Sequence, residues 1–327
     1  MLKRIFIKLC RMMGYEIIDQ NQFESPTINK SLDDNLSILN KKSIVLPLGE
    51  VKITKKVSSL LIIFRCNTKI KIWDQNKERI FNKDKAEYTL RCLNSLIKTI
   101  SNAKNKFQNI DFKLTIVDDN SKKEILNQIN TLVNKVNIST KIINLNNKEN
   151  KEFIKVDNQS ETFGNLNSLL KCFNLAKEEG RDLIFFVEDD YLHTENMIEE
   201  MVLTYERISS QLNKEIILCP ADYPFQYMTS KKTNILIGSH RHWQIINKTL
   251  CTFLISKSNF NKYWENFLST CKKRNDPFEK YLNEIYEKEI CISPIKSLSI
   301  HLANINSSYG LSPFIDYKSL WDENNYT

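Results

Sequence analysis

The chain alternates short unbroken apolar runs with longer stretches whose apolar positions recur every three or four residues. Val57 to Phe64 (V-S-S-L-L-I-I-F) is the first such run and ends at Arg65-Cys66-Asn67-Thr68. Phe112 to Val117 reads as a second, short strand, stopped by Asp118-Asp119-Asn120-Ser121, and Thr140 to Leu145 as a third strand. Leu183 to Val187 is the strongest, apolar throughout and followed directly by Glu188-Asp189-Asp190. Runs without polar alternation predict strands buried on both faces, as in a parallel sheet. Between them, residues 84–100 place Ala86, Leu90, Leu93, Leu96, Ile97 and Ile100 on one helical face. Residues 123–136 read as another helix, and 165–178 carry Leu166, Leu169, Leu170, Phe173 and Ala176 at helical spacing. The alternation predicts an α/β fold: a mostly parallel, Rossmann-like central sheet flanked by helices.

The rhythm changes towards the C-terminus. Ile216 to Cys219 and Leu250 to Ile255 read as strands, separated by a polar loop holding His240-Arg241-His242-Trp243. Residues 276–287 predict a helix, Ile290 to Ile292 a short strand, and the chain after His301 an irregular tail. No internal repeat is visible. The expected organisation is a basic amphipathic helix and polar arm over 1–55, a sheet-forming half over 56–220, and a second half over 221–327 built onto the first. In the N-terminal helix Leu2, Ile5, Phe6, Leu9, Met12 and Met13 recur at helical spacing, while Lys3, Arg4, Lys8 and Arg11 gather on another face. Such a helix suits an anionic membrane surface, and it equally suits docking on the protein's own core. Lys8 and Arg11 interrupt what would be the apolar core of a signal peptide.

Composition adds three constraints. A formal net charge of +8 admits an anionic partner, but the lysines are scattered with no aromatic-interleaved stripe, so solvated surface explains them as well and nucleic acid is not expected. The 8 cysteines form no CxxC pair and most sit in apolar runs, as expected of free thiols in a reducing, cytoplasmic setting. No apolar stretch approaches the roughly 20 residues needed to span a bilayer.

In parallel sheets ligands bind beyond the carboxyl ends of strands. Three such ends are polar here: Arg65-Cys66-Asn67, Asp118-Asp119-Asn120 and Glu188-Asp189-Asp190. Three carboxylates at one strand end repel one another unless a cation or proton intervenes, and Mg²⁺ or Mn²⁺ shared with substrate phosphates is the usual resolution. The plainer alternative turns two of the three acids to solvent.

This arrangement resembles the GT-A glycosyltransferases, in which an acidic D-X-D-like motif follows a sheet strand. I-F-F-V-E-D-D-Y-L is similar to the E-D-D form of the N-acetylglucosaminyltransferase I family. The segment from Thr162-Phe163-Gly164-Asn165 onward is similar to the Gly- and Asn-bearing segment preceding that motif in family 2 enzymes, and L-T-I-V-D-D-N-S resembles their second strand. The resemblance covers roughly residues 58–302 and departs from a strict D-X-D in having Glu188 in the first slot. It implies that Asp190 binds Mn²⁺ or Mg²⁺ and that Asp189 and Glu188 contact the sugar and ribose of a nucleotide-sugar donor. It implies further that Asp118 or Asp119 meets the uracil–ribose portion, with Gly164 and Asn165 beside it. The Phe64–Asn67 turn, including Arg65, would close around the base. The two halves then become a nucleotide-sugar-binding half and an acceptor-binding, metal-completing half.

Asp276-Pro277-Phe278-Glu279 opens the predicted C-terminal helix, where inverting GT-A enzymes keep a carboxylate base; Asp276 is the first candidate and Glu279 the second. Asp, Pro and Glu in this order are also an ordinary helix start. His301 resembles the C-terminal histidine that completes the metal shell in several GT-A families, although a lone histidine after an apolar stretch is commonly structural. The H-x-H spacing of His240 and His242 lacks a third ligand nearby, and a lid with Arg241 on phosphate and Trp243 on a sugar fits better, beside plain loop packing. The implied activity is transfer from a UDP-linked donor to a hydroxyl on a glycan or lipid-linked acceptor, inverting with a base at Asp276 or Glu279 and retaining without one, as in bacterial envelope polysaccharide assembly. The protein would be cytoplasmic, with a peripheral contact at the inner face of the membrane as a further option. A nucleotidyltransferase would share the acids and the cation but usually has a Gly-rich loop after the first strand, and Arg65-Cys66-Asn67-Thr68-Lys69 has no glycine. A non-catalytic, membrane-associated nucleotide-binding module is the third reading.

Overall fold

The computed structural model describes residues 2–15, 17, 43–46, 49–69, 79–145, 150–156, 161–228, 230, 232–303 and 305–326. Most of the polar arm expected before residue 56 lies outside them. Helix α1 (Leu2–Met12) forms where the amphipathic spacing predicts it, and the arm ends in an antiparallel hairpin of β1 (Ser43–Leu46) and β2 (Gly49–Lys52).

The four expected strands become β3 (Ser59–Cys66), β4 (Asp111–Asp118), β5 (Ser139–Asn144) and β6 (Leu183–Glu188), of which β5 is an edge strand and largely exposed. Between them lie α2 (Lys85–Lys106), α3 (Lys123–Val133) and α4 (Glu161–Glu179). The strands pair in parallel in the order β5-β4-β3-β6. Successive residues of β3 serve opposite cores: Leu60, Ile62 and Phe64 join one with Leu93, Leu96 and Met201, while Leu61 and Ile63 join another with Phe173, Phe186 and Phe267. Full burial of each such side chain is worth about 1.5–3 kcal/mol, which explains why this strand tolerates no polar alternation. Helix α2 begins where Asp84 accepts a 2.9 Å hydrogen bond from the Glu87 backbone N–H, a side-chain cap for an orphan donor.

Beyond β6 come β7 (Tyr191–His193), α5 (Met197–Leu212), β8 (Ile216–Leu218), β9 (Ile235–Ile237), β10 (His242–Ile246) and β11 (Phe253–Ser256). They are followed by α6 (Lys257–Lys262), α7 (Trp264–Lys272), α8 (Lys280–Lys288), β12 (Ile290–Pro294), β13 (Ser299–His301) and α9 (Tyr317–Glu323). The main sheet has 9 strands and continues from β6 through β11, β8, β12 and β10 to β9. Strand β11 is antiparallel to β6 and β8, and β10 is antiparallel to β12 and β9, so every other strand of the sheet points the same way. The result is a large, mostly parallel sheet between helices, the GT-A arrangement. Strands from both halves of the chain share it.

Three local expectations change. The loop around His240 is the β9–β10 hairpin, and Trp243 is fully buried under it, so it does not stack on a sugar. Glu200 of α5 anchors this hairpin: its buried carboxylate accepts hydrogen bonds from the His240 backbone N–H at 2.9 Å and from Trp243 Nε1 at 3.3 Å. A Cβ on Gly238 would meet Trp243 Nε1 at 2.3 Å, so the turn requires glycine there. The helix expected over 276–287 starts instead at Lys280. The tail is not irregular throughout, because α9 stacks Trp321 on Phe81 at 4.2 Å, with the Arg91 guanidinium 4.7 Å from the indole ring. All 8 cysteines are buried and free, as their apolar surroundings imply.

Candidate active site

The parallel register brings three polar strand ends to one level. Arg65 lies beside Glu188 across β3–β6, and Cys66 beside Asp118 across β3–β4. The Arg65 guanidinium donates to Glu188 Oε1 at 2.6 Å, to Ser168 Oγ at 3.2 Å and to the Asn165 side-chain oxygen. Burial works against both charges, but each offsets it for the other: Arg65 stays firmly protonated, while burial raises the Glu188 pKa against the opposing pull of Arg65. Glu188 is therefore an ion-paired carboxylate, held in place by Asn165 and Ser168 of α4 through Arg65.

Asp189 faces inward. One oxygen receives Lys85 Nζ at 2.6 Å, and the other receives Thr89 Oγ1 at 2.7 Å and the Asn67 N–H at 3.2 Å. Its side chain locks the N-terminal turn of α2 to the strand end instead of reaching a sugar, which corrects the role the resemblance implied. Lys85, Thr89 and Ser168 were not singled out from sequence. The Asp84 cap that fixes Lys85 in the first turn of α2 was the one available signal.

Asp190 is different. It sits half-buried, with its Oδ1 buried and without a hydrogen-bond partner. Its Oδ2 lies 3.4 Å from His301 Nε2. Burial alone would raise its pKa, but His301 and Lys85 outweigh burial and hold the carboxyl well below the usual range. His301 comes from β13, which pairs with β7 directly after the acidic triplet, His301 opposite Tyr191. Its ring stacks on Tyr191 at 4.8 Å, and its Nδ1 lies 2.6 Å from the Tyr309 carbonyl. A carbonyl can only accept, so Nδ1 carries the hydrogen and Nε2 is the atom presented to Asp190. Burial disfavours a charged imidazole, but Asp190 overrides it and raises the His301 pKa.

The chemistry of that pair suits a divalent cation. A partnerless buried carboxylate oxygen and an imidazole nitrogen of fixed tautomer are suitable donors for Mn²⁺, or less ideally Mg²⁺. Among the described residues no group of three or more His, Cys, Asp or Glu side chains forms a closed metal site. Asp190 and His301 would be two protein ligands, leaving the remaining positions to substrate oxygens and water.

Around this centre, Asp118 and Asp119 are both buried. Asp118 accepts from the Ser121 N–H at 3.0 Å, a turn-closing bond, while Asp119 accepts from Asn67 Nδ2 at 2.9 Å. Burial raises the Asp119 pKa, opposed by that bond. A Cβ on Gly164 would stand 2.7 Å from Asp119 Oδ2, so the glycine at the start of α4 gives this carboxylate its room. Asn67 thereby bridges Asp119 and Asp189 within one turn. Phe64, expected against the base, is fully buried in the core under β3 and cannot reach a ligand.

The two base candidates separate. Asp276 is exposed and lies ahead of α8, whose N-cap position is Glu279. Glu279 is half-buried, and its pKa is pushed up to about 7 by burial and then by Glu188, with His301 and Arg65 opposing. Those partners place Glu279 within electrostatic reach of the acidic centre. Phe278, packed on the second core, anchors the turn that brings it there. Arg241 is committed elsewhere: it donates to the carbonyls of Lys296 and Ser297, the latter at 3.3 Å, and not towards the acidic centre.

Among solved structures, the chain is similar in fold to TarS of S. aureus: for a fragment spanning its residues 1–349, identity is 12% and the TM-score 0.42, covering 74% of this chain and 59% of that fragment. The chain thus spans about three fifths of that relative. It is also similar to a UDP-glucose pyrophosphorylase complexed with UDP-glucose (8% identity, TM-score 0.37, 77% and 96% covered) and to an active-site mutant of LgtC (10%, 0.33, 65% and 64%). No curated protein matches the sequence. The family model described as glycosyl transferase family 2 matches residues 80–268. That span holds Asp118, Asp119, Gly164, Asn165 and the acidic triplet, while Glu279 and His301 lie beyond it. Because the match takes in more than half of the 327 residues, the chain belongs to glycosyl transferase family 2.

Proposed function

We propose that the protein transfers a sugar from a nucleotide-diphospho-sugar, UDP-linked, to a hydroxyl of a glycan or lipid-linked acceptor, with inversion and with the help of a divalent cation. One observation carries this reading: the partnerless Asp190 oxygen opposite a tautomer-fixed His301 at the carboxyl end of β6. Asp190 and His301 would hold Mn²⁺ or Mg²⁺, which when bound supplies positive charge against the departing diphosphate. Asp119, with Asn67 and the Gly164 turn, forms the polar wall suited to the uracil–ribose end. Arg65 fixes Glu188 where it can accept from a donor hydroxyl. Glu279 removes the proton from the acceptor hydroxyl as that oxygen bonds to the anomeric carbon. The bond from that carbon to the diphosphate oxygen breaks, and the electron pair leaves with the nucleotide. Direct displacement of this kind inverts the anomeric centre.

A thermal-shift screen of UDP-, GDP-, CDP- and dTDP-sugars, with and without Mn²⁺, tests the donor assignment. Ligands that bind only the native state stabilise it by mass action, so UDP-sugars should raise Tm in the presence of Mn²⁺ and not in EDTA. Absence of a shift with every sugar nucleotide overturns the assignment. A shift confined to another nucleotide overturns its UDP part.

A further inference from the structure

The amphipathic helix α1 raises a question that the active site leaves untouched. On a wheel of about 100° per residue, Leu2, Ile5, Phe6, Leu9, Met12 and Met13 fall in one sector. Lys3, Arg4, Lys8 and Arg11 fall across the remainder. The large apolar residues of that sector are all between 51% and 85% exposed. Only Cys10 of this helix is buried and only Ile7 is half-buried, and both lie to one side of the apolar sector. The helix therefore rests on the molecule by its Ile7–Cys10 edge and turns its broad apolar stripe outward. Docking on the protein's own core, one of the two readings open from sequence, would do the reverse.

We infer that this stripe docks on the surface of an anionic lipid bilayer. Two observations choose the occupant. The helix carries four basic residues and no acidic one, a charge pattern complementary to anionic headgroups and not to a second copy of the same helix. Lys8 borders the stripe and Arg4 lies next to it, on the side away from the Ile7–Cys10 edge, where their stems can lie along the acyl boundary and their charged groups reach lipid phosphates. The alternative occupant, a second copy, fits poorly by size: 11 residues make a strip about 16 Å long and one helix wide, far below the roughly 800 Å² per partner of a stable interface. Among the described residues no helix is long and apolar enough to cross a membrane, so the contact is peripheral. This inference does not depend on the catalytic reading.

Co-sedimentation of the full chain with phosphatidylcholine vesicles, with and without phosphatidylglycerol, tests it. The protein should pellet with the anionic vesicles and lose binding as salt rises from about 0.05 to about 0.5 M, where screening shortens to a few ångströms. The pair Phe6→Ser, Leu9→Ser should reduce pelleting at least about tenfold, with Tm unchanged because both positions are exposed. Arg4→Gln, Lys8→Gln should remove the preference for phosphatidylglycerol. Wild-type protein left in the supernatant, or equal pelleting of the Phe6→Ser, Leu9→Ser protein, overturns the inference. So does a lipid-free dimer that this pair dissociates, since the stripe would then belong to a second copy.

Discussion

Changing Asp190 to Asn should abolish Mn²⁺-dependent binding of the donor and reduce transfer at least about a thousandfold, the several kcal/mol that charge stabilisation of a leaving group supplies. Asn keeps the shape but loses the charge opposite His301, whose raised pKa depends on Asp190 more than on any other neighbour. Two readouts separate this from simple misfolding. The His301 imidazole, watched by NMR, should titrate at a lower pH than in the wild type. Far-UV circular dichroism should be unchanged, while the melting temperature should fall somewhat because the charge paired with His301 is lost. An Asp190→Asn protein that binds donor with Mn²⁺ as well as wild type would remove Asp190 from the cation site.

Glu279→Gln should lower kcat by about 10²–10⁴-fold, the usual contribution of a positioned general base, while leaving donor affinity intact. The wild-type rate should rise with pH through about 7, because the base acts only as a carboxylate and burial with Glu188 nearby has pushed its pKa to about 7. Stability moves the opposite way. A carboxyl whose pKa rises on folding is favourable when protonated, so this contribution is present below about pH 4.5 and is lost as pH climbs to about 7. The Gln variant lacks that loss and should melt at least as high as wild type at pH 8. Asp276→Asn, on an exposed side chain, should leave kcat near wild type. Loss of turnover in Asp276→Asn with activity retained in Glu279→Gln would reverse the assignment.

The sheet and its acidic edge were legible because β3 and β6 are buried on both faces and read as near-continuous apolar runs, while β4, with Lys113 and Thr115 among its apolar residues, was marked by the polar stop at Asp118. Asp190 and His301 were legible as types at strand ends, through the family resemblance, but their meeting depends on β13 pairing with β7, two strands of 3 residues each. Helix α5 was legible but overlooked: Met197, Ile198, Met201, Val202, Tyr205, Ile208 and Leu212 recur at helical spacing, and what sequence could not show is that Glu200 is buried to hold the β9–β10 hairpin. Asp189 misled for a related reason: a carboxylate in an acidic triplet looks ligand-facing unless Lys85, over 100 residues earlier, is known to reach it. The resemblance put Asp276 first while capping grammar explained it as a helix start, yet α8 begins at Lys280, and Glu279, beside the Phe278 anchor, is the carboxylate that feels Glu188. Phe64 and Arg241 were placed by adjacency to a motif and by charge, and both are spent on packing or backbone contacts.

The cation–diphosphate site between Asp190 and His301 is tested most directly by calorimetric titration of the wild-type chain with UDP, in Mn²⁺ and in EDTA. UDP should bind in Mn²⁺, more tightly at pH 8 than at pH 6 because His301 must shed its proton, and binding should vanish in EDTA. Equal affinity in Mn²⁺ and EDTA would contradict it.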